Sequence, residues 1–229
     1  MHARAQSSRP LPSSGLTPFV DALPRLPKLA GADVDLSATN AMHKFHRDLP
    51  ATPTFGYGGA SYLGPVIEAR RGVTTRVTFN NLLRDHALKS SVDASCAGVS
   101  EEDKTAPRSV LYLHGGVTPP QSSGHPRATI LPGGSAEYVF PNQQEAAGLW
   151  YYDRSLGIAG LNRYAGLAGM YLVRDEWDTG LADNPLALPA EDYEIPLVLM
   201  ERSFNADGTL RAGGVAGSRD ESGSVGVVN

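Results

Sequence analysis

The sequence predicts an all-β fold, an antiparallel Greek-key sandwich, from three observations. The 229 residues include 25 glycines and 17 prolines, more than the average of about 12% for the two together, and both residues are costly inside helices. Hydrophobic residues make up 41% of the chain, which is enough to bury a core. Short β-branched and aromatic segments recur between turns that contain glycine or proline. The predicted strands cover Val66–Arg70, Thr75–Phe79, Val110–Leu113, Glu137–Phe140, Leu149–Tyr152, Met170–Val173 and Pro196–Met200.

The order of segments predicts one folded domain between two extensions. Residues 1–40 are rich in Ser, Pro, Ala and Leu without sustained periodicity, so we expect an extended N-terminal arm. Residues 41–210 hold the predicted strands, a polar mobile loop at 89–107, and one or two possible helical turns within 155–167. Residues 211–229 are rich in Gly and Ser and are predicted to form a flexible tail.

Charge and cysteine content exclude several classes of protein. The net charge is −4, from 20 basic and 24 acidic residues, so nucleic acid and membrane are not predicted partners. The single cysteine, Cys96, excludes an internal disulfide framework and a Cys-rich zinc site. No apolar stretch approaches the length of a membrane span, and no apolar segment follows Arg4 and Arg9 as in a signal peptide. A cytoplasmic location is therefore the default prediction.

The six histidines do not form an obvious metal motif. His43 and His46 have a spacing that would serve a metal on a helix, but the prolines and glycine that follow argue against a helix there. The predicted strand Val110–Leu113 stops at His114-Gly115-Gly116, as in the oxyanion turn of α/β-hydrolases. That class also needs a later G-x-S-x-G turn, and no serine after residue 116 has glycine at both required positions. The hydrolase interpretation is excluded.

A set of longer motifs extends over roughly residues 16–210. The chain resembles the N-terminal cupredoxin domain of bacterial multicopper oxidases of the spore-coat laccase, bilirubin oxidase and phenoxazinone synthase type. This resemblance implies a cupredoxin β-sandwich. The motifs are Leu16–Pro24, Phe45–Pro50, Gly56–Gly58, Gly64–Gly72, Leu113–Pro119, Pro141–Gln144, Leu149–Arg154 and Leu161–Gly169.

The resemblance also implies a copper site with most of its ligands replaced. In this family, two strands supply four histidines, half of the protein ligands of a trinuclear copper cluster. The matching positions here are Tyr112, His114, Tyr152 and Arg154, so His114 is the one metal ligand that remains. A phenol must ionise before it binds a metal well, and a guanidinium group stays protonated. We therefore expect copper, the cofactor of the family, to be absent or weakly bound.

The family's other cluster ligands, and the copper that oxidises substrate, belong to a distal cupredoxin domain. The 229 residues end before such a domain would begin, and Cys96 does not lie where the family has its copper cysteine. We therefore expect a truncated chain that is not an autonomous oxidase.

Three functions remain open at this stage. The first is a binding or structural protein, for which we expect association with itself or with a partner through the face that other domains cover in the family. The second is one half of a split copper oxidase of phenols or aminophenols, completed by a separate chain carrying the distal cupredoxin domain. The third is a pocket converted to bind a small anionic ligand, with Asp153 and Arg154 as candidate ligand residues. The family also allows a cell-envelope or spore association.

Overall fold

The computed structural model describes residue 11, residues 15–212 and residues 224–229. These residues form mainly β-strands, together with one seven-residue helix, α1, at Ala159–Ala165. No helix among them is long and apolar enough to cross a membrane. The strands are β1 Lys28–Ala30, β2 Asp33–His43, β3 Thr52–Tyr57, β4 Val66–Arg70, β5 Thr75–Asn81, β6 Leu111–His114, β7 Ser135–Phe140, β8 Ala147–Asp153, β9 Ala168–Arg174, β10 Leu199–Phe204, β11 Leu210–Arg211 and β12 Ser224–Val228.

Two sheets sandwich one hydrophobic core, as the sequence predicts. One sheet has the strand order β1-β4-β9-β8-β6, and the other has the order β3-β2-β5-β7. Buried side chains from both sheets form one contiguous cluster. The all-β sandwich is confirmed, but the sheets are mixed, because β1 with β4, β4 with β9, and β2 with β5 are parallel pairs. A third, small sheet has the order β11-β10-β12.

The predicted arm and tail both contribute strands. β1 and most of β2 lie within residues 1–40, and β2 buries Val34, Leu36 and Ala38 on its inner face. This alternation places every second side chain in the core. β12 lies within the predicted tail and pairs antiparallel with β10. The rest of the predicted tail up to residue 223, apart from Arg211 and Ala212, lies outside the described residues.

Tyrosine hydroxyl groups connect the core to the backbone around it. Tyr151 donates to the carbonyl of Pro65 at 2.6 Å. The hydroxyl of Tyr138, on the four-stranded sheet, accepts from the backbone N–H of Leu111 on the opposite sheet at 3.3 Å. These bonds provide partners for phenol groups that water cannot reach.

Arg174 ends β9 and fastens the long segment that follows it. Its side chain is 6% exposed, and its guanidinium group bonds Glu68 of β4 at 2.6 Å and Glu194 at 2.7 Å. Lys28 of β1 also lies 3.2 Å from Glu68. Burial alone would lower the pKa of Arg174, but the hydrogen bonds that it donates to Glu194 and Glu68 raise it above its usual value. The segment from 175 to 198 is thus held against the edge of the five-stranded sheet.

The polar loop before β6 is organised by side-chain bonds. It contains two short 3-10 helices, Lys89–Ser91 and Glu101–Lys104. His86 precedes them, and its Nδ1 accepts from the N–H of Leu88 at 2.9 Å. Its Nε2 therefore carries the proton and donates to Oδ1 of Asn162 in α1, at 3.1 Å. The neutral imidazole joins this loop to the helix.

Acid should destabilise the fold through His86. Burial lowers the pKa of His86 to about 4, against an unfolded value near 6.5. Between these values the unfolded chain binds the additional proton, so the free energy of unfolding should fall by about 3 kcal/mol as the pH drops from 6.5 to 4. Urea unfolding at a series of pH values measures this, and His86→Gln should remove that part of the pH dependence. The control variant His125→Gln removes an exposed histidine and should leave this pH dependence unchanged. If the free energy of unfolding fell equally with pH in the parent and in His86→Gln, the assignment to His86 would be wrong.

Candidate functional site

The candidate site lies on the outer face of β6 and β8, at one edge of the five-stranded sheet. The two strands are antiparallel neighbours, with Tyr112 opposite Tyr152 and His114 opposite Trp150. Directly opposite residues point to the same side of a sheet, and so do residues two apart along a strand. Both tyrosines, His114 and Trp150 therefore share the outer face, where each is at least partly exposed.

Tyr112, His114 and Tyr152 form a compact aromatic triangle. The ring centroids of the two tyrosines are 5.4 Å apart, and each lies 5.8 Å from the imidazole centroid. Nδ1 of His114 and the hydroxyl of Tyr152 form a hydrogen bond of 2.7 Å. One imidazole nitrogen is thus already engaged by a phenol.

Two arginines cover the tyrosine rings. Cζ of Arg154, just after β8, lies 4.2 Å from the ring centroid of Tyr112. Cζ of Arg163, on α1, lies 5.1 Å from the ring centroid of Tyr152. Both distances are in the range of cation–π contacts. We call Tyr112, His114, Tyr152, Arg154 and Arg163 the outer-face cluster.

Sequence reasoning brought four of these five residues together and missed Arg163. Arg163 reaches the cluster because α1 packs against β8, a tertiary contact with no local signal. The helical turns expected within 155–167 were the available hint, since Arg163 lies in α1.

Asp153, predicted beside Arg154 in a ligand pocket, faces the opposite way. It is fully buried, and its carboxylate accepts bonds from the Ser109 hydroxyl at 2.8 Å and the Val110 N–H at 3.0 Å. The N–H and hydroxyl of Ser155 supply two more, at 3.0 and 2.9 Å. Burial raises the pKa of Asp153, while these hydrogen bonds act in the opposite direction. The structure makes Asp153 an internal anchor of the strand ends.

The other histidine pair serves local structure. Nδ1 of His43 bonds the Ser61 hydroxyl at 2.9 Å, and its ring stacks on Tyr62 at 5.2 Å. Nε2 of His46 bonds the carbonyl of Thr17 at 2.9 Å. The two histidines lie at the end of a strand and in the turn after it, not on a helix. Across residue 11, residues 15–212 and residues 224–229, no group of three or more His, Cys, Asp or Glu side chains could hold a metal ion.

One family model and several known proteins match this chain. The model described as multicopper oxidase matches residues 104–178, which include the whole outer-face cluster. A laccase of Bacillus subtilis (strain 168) is 35% identical over 211 residues, which cover 85% of this chain and 40% of the laccase. The multicopper oxidase LPR1 of Arabidopsis thaliana is 33% identical over 216 residues, which cover 84% of this chain and 36% of LPR1. Over most of its length the chain is thus similar to multicopper oxidases.

Solved structures of this family agree with the fold. The McoA multicopper oxidase of Aquifex aeolicus superposes with a TM-score of 0.66 at 24% identity, over 84% of this chain and 38% of that one. A likeness at this identity shows the fold, and it confirms the cupredoxin-like sandwich that the resemblance implied. The chain spans about 40% of the length of the curated laccase it matches.

The resemblance implies that four members of the outer-face cluster, all except Arg163, stand at positions of copper ligands in multicopper oxidases, so their donor atoms can be tested against that metal. Copper in nitrogen sites prefers neutral imidazole, and the cluster supplies one, His114, whose Nδ1 is engaged by Tyr152. A phenol binds a metal well only after ionisation. The guanidinium group of Arg154 has no lone pair to donate and adds a positive charge. This donor set does not fit copper.

Proposed function

We propose that this multicopper oxidase domain is a copper-independent binding protein rather than an oxidase acting by itself. The observation that supports it is the outer-face cluster. A copper ion there would meet one imidazole and the guanidinium group of Arg154, which is fixed 4.2 Å from the Tyr112 ring centroid. Repulsion between two such cations a few Å apart amounts to several kcal/mol, even at an effective dielectric constant of about 20. The laccase-like sandwich serves here as a support for a different surface chemistry.

Copper loading tests this proposal directly. The protein is loaded anaerobically with Cu(I), dialysed, and assayed for metal content and for oxidation of a phenol. We expect well below one equivalent of copper, no turnover, and no change on His114→Ala. A variant carrying Tyr112→His, Tyr152→His and Arg154→His restores four imidazoles and should retain more copper than the parent. One or more tightly held equivalents in the parent, lost on His114→Ala, would overturn the proposal.

The exposed imidazole of His114 favours a second candidate, one half of a split copper oxidase of phenols or aminophenols. Its Nε2 has no hydrogen bond among the described residues, so it remains available to a metal. In that case a separate chain would supply the remaining ligands. The same loading experiment separates the two functions, because a split oxidase requires copper retention that depends on His114.

A further inference from the structure

The two arginines of the outer-face cluster carry charges that no acidic group balances. Arg154 and Arg163 are both exposed. Their recorded side-chain contacts are the faces of Tyr112 and Tyr152, and within the described residues neither guanidinium group pairs with a carboxylate. Contact with a ring face leaves the N–H groups of arginine free for hydrogen bonds. The N–H donors of both arginines are therefore held in place and are free to bind an acceptor.

The neighbouring loop adds another arginine and a histidine. The α-carbon of Gly124 packs so closely on Tyr112 that an added β-carbon would lie 2.8 Å from the Tyr112 backbone. Two residues later, the carbonyl of Pro126 accepts from the N–H of Leu156 at 2.9 Å. His125 and Arg127, both exposed, lie in the chain next to these two contact points.

The strands and the helix that carry the outer-face cluster contain one acidic side chain, which points inward. The sequence has no Asp or Glu from 109 to 136, and Asp153 is the single one from 146 to 174. Asp153 is buried and fully bonded on the core side. The loop against Leu156 contains Asp103, which is buried and paired with Arg108 at 2.9 Å, and the exposed Glu101 and Glu102, of which Glu101 pairs with Lys104 at 2.6 Å. The outer-face cluster itself therefore carries two arginines and no exposed carboxylate, in a chain of net charge −4.

We propose that the outer-face cluster binds the phosphate or carboxylate group of a small molecule between Arg154 and Arg163. The inference rests on the proposed copper-independent function and names its ligand class. Arginine matches planar and tetrahedral oxyanions through paired N–H groups. Stacking on the tyrosines holds both guanidinium groups before the ligand arrives, which lowers the entropy lost on binding. His114 and the Tyr152 hydroxyl provide a third polar point of contact.

Calorimetric titration of the full chain in the presence of a metal chelator tests this site. The probes are inorganic phosphate, phenyl phosphate and benzoate. We expect saturable binding of at least one of them, and Arg154→Met or Arg163→Met should weaken it by about tenfold or more. Arg84→Met removes an exposed arginine in the loop after β5 and should leave the affinity unchanged. Tighter binding of phenyl phosphate than of benzoate would indicate an organic phosphate as the ligand. Tighter binding of benzoate would indicate a carboxylate.

Two results would overturn the site. One is no binding of any probe at millimolar concentration by a parent protein shown to be folded by circular dichroism. The other is an equal loss of affinity in the Arg84→Met variant, which would indicate general charge attraction. Because the chelator removes copper, these results are independent of the loading experiment. Copper retention with intact phosphate binding would contradict the proposed function and leave the anion site in place.

Discussion

Replacing Arg174 by methionine is expected to lower the free energy of unfolding by about 3–5 kcal/mol. Its guanidinium group is buried and bonds Glu68 and Glu194, whose side chains are 22% and 26% exposed. Methionine keeps much of the apolar volume and removes the charge, so three neighbouring carboxylates, those of Glu68, Asp178 and Glu194, lose this partner. Removing one member of a buried ion network costs more than the net value of the network, because the remaining charges stay poorly solvated.

A matched control is an exposed ion pair that also joins the segment 175–198 to another part of the chain. Arg25 pairs with Asp192 at 2.9 Å, but both side chains are largely exposed, at 60% and 89%. Arg25→Met should change the free energy of unfolding by less than about 1 kcal/mol. Urea unfolding of the parent and both variants measures the two values. Similar small losses for the two variants would show that the Arg174 network does not fasten the segment 175–198.

Asp153→Ala is expected to cost about 3–5 kcal/mol of unfolding free energy. The substitution leaves the N–H groups of Val110 and Ser155 buried without an acceptor, and each such group costs roughly 1–3 kcal/mol. Asp153→Asn should be milder, because the hydroxyls of Ser109 and Ser155 can turn to accept from the new amide. The Val110 N–H cannot turn, so we expect the asparagine variant to remain less stable than the parent.

The adjacent Arg154 supplies the control for Asp153. Arg154→Met removes an exposed cation–π contact and should cost less than about 1 kcal/mol. Thermal or urea unfolding of the three variants distinguishes the internal anchor from the surface cluster. A larger loss for Arg154→Met than for Asp153→Ala would reverse the roles that the structure gives these two neighbours.

The central strands could be predicted from sequence because their signal is local. Val110–Leu113 and Met170–Val173 are apolar runs between turns, and they fall on β6 and β9. β2 was missed although Val34, Leu36 and Ala38 alternate with polar residues, so the sequence did contain that strand's signal. The parallel pairings of β1, β4 and β9 had no local signal, since the choice of strand partner depends on contacts distant in sequence.

The candidate site was predictable in part, and for a different reason. Tyr112, His114, Tyr152 and Arg154 were grouped through the family resemblance, and the register of β6 and β8 brings them together. Asp153 was assigned to the same pocket because it adjoins Arg154 in sequence. Successive side chains of a strand point to opposite faces, so the end of β8 sends Asp153 into the core.

The buried tyrosines of the sandwich also set its tolerance of alkali. Burial raises the pKa of Tyr138 to about 12 and that of Tyr151 well above its ordinary value near 10. Above about pH 10 the unfolded chain therefore releases phenolic protons that the folded chain retains, and the folded state loses stability as the pH rises. The same hydroxyl groups that connect the core to its backbone at neutral pH thus place an upper limit on the basicity in which the two sheets stay together.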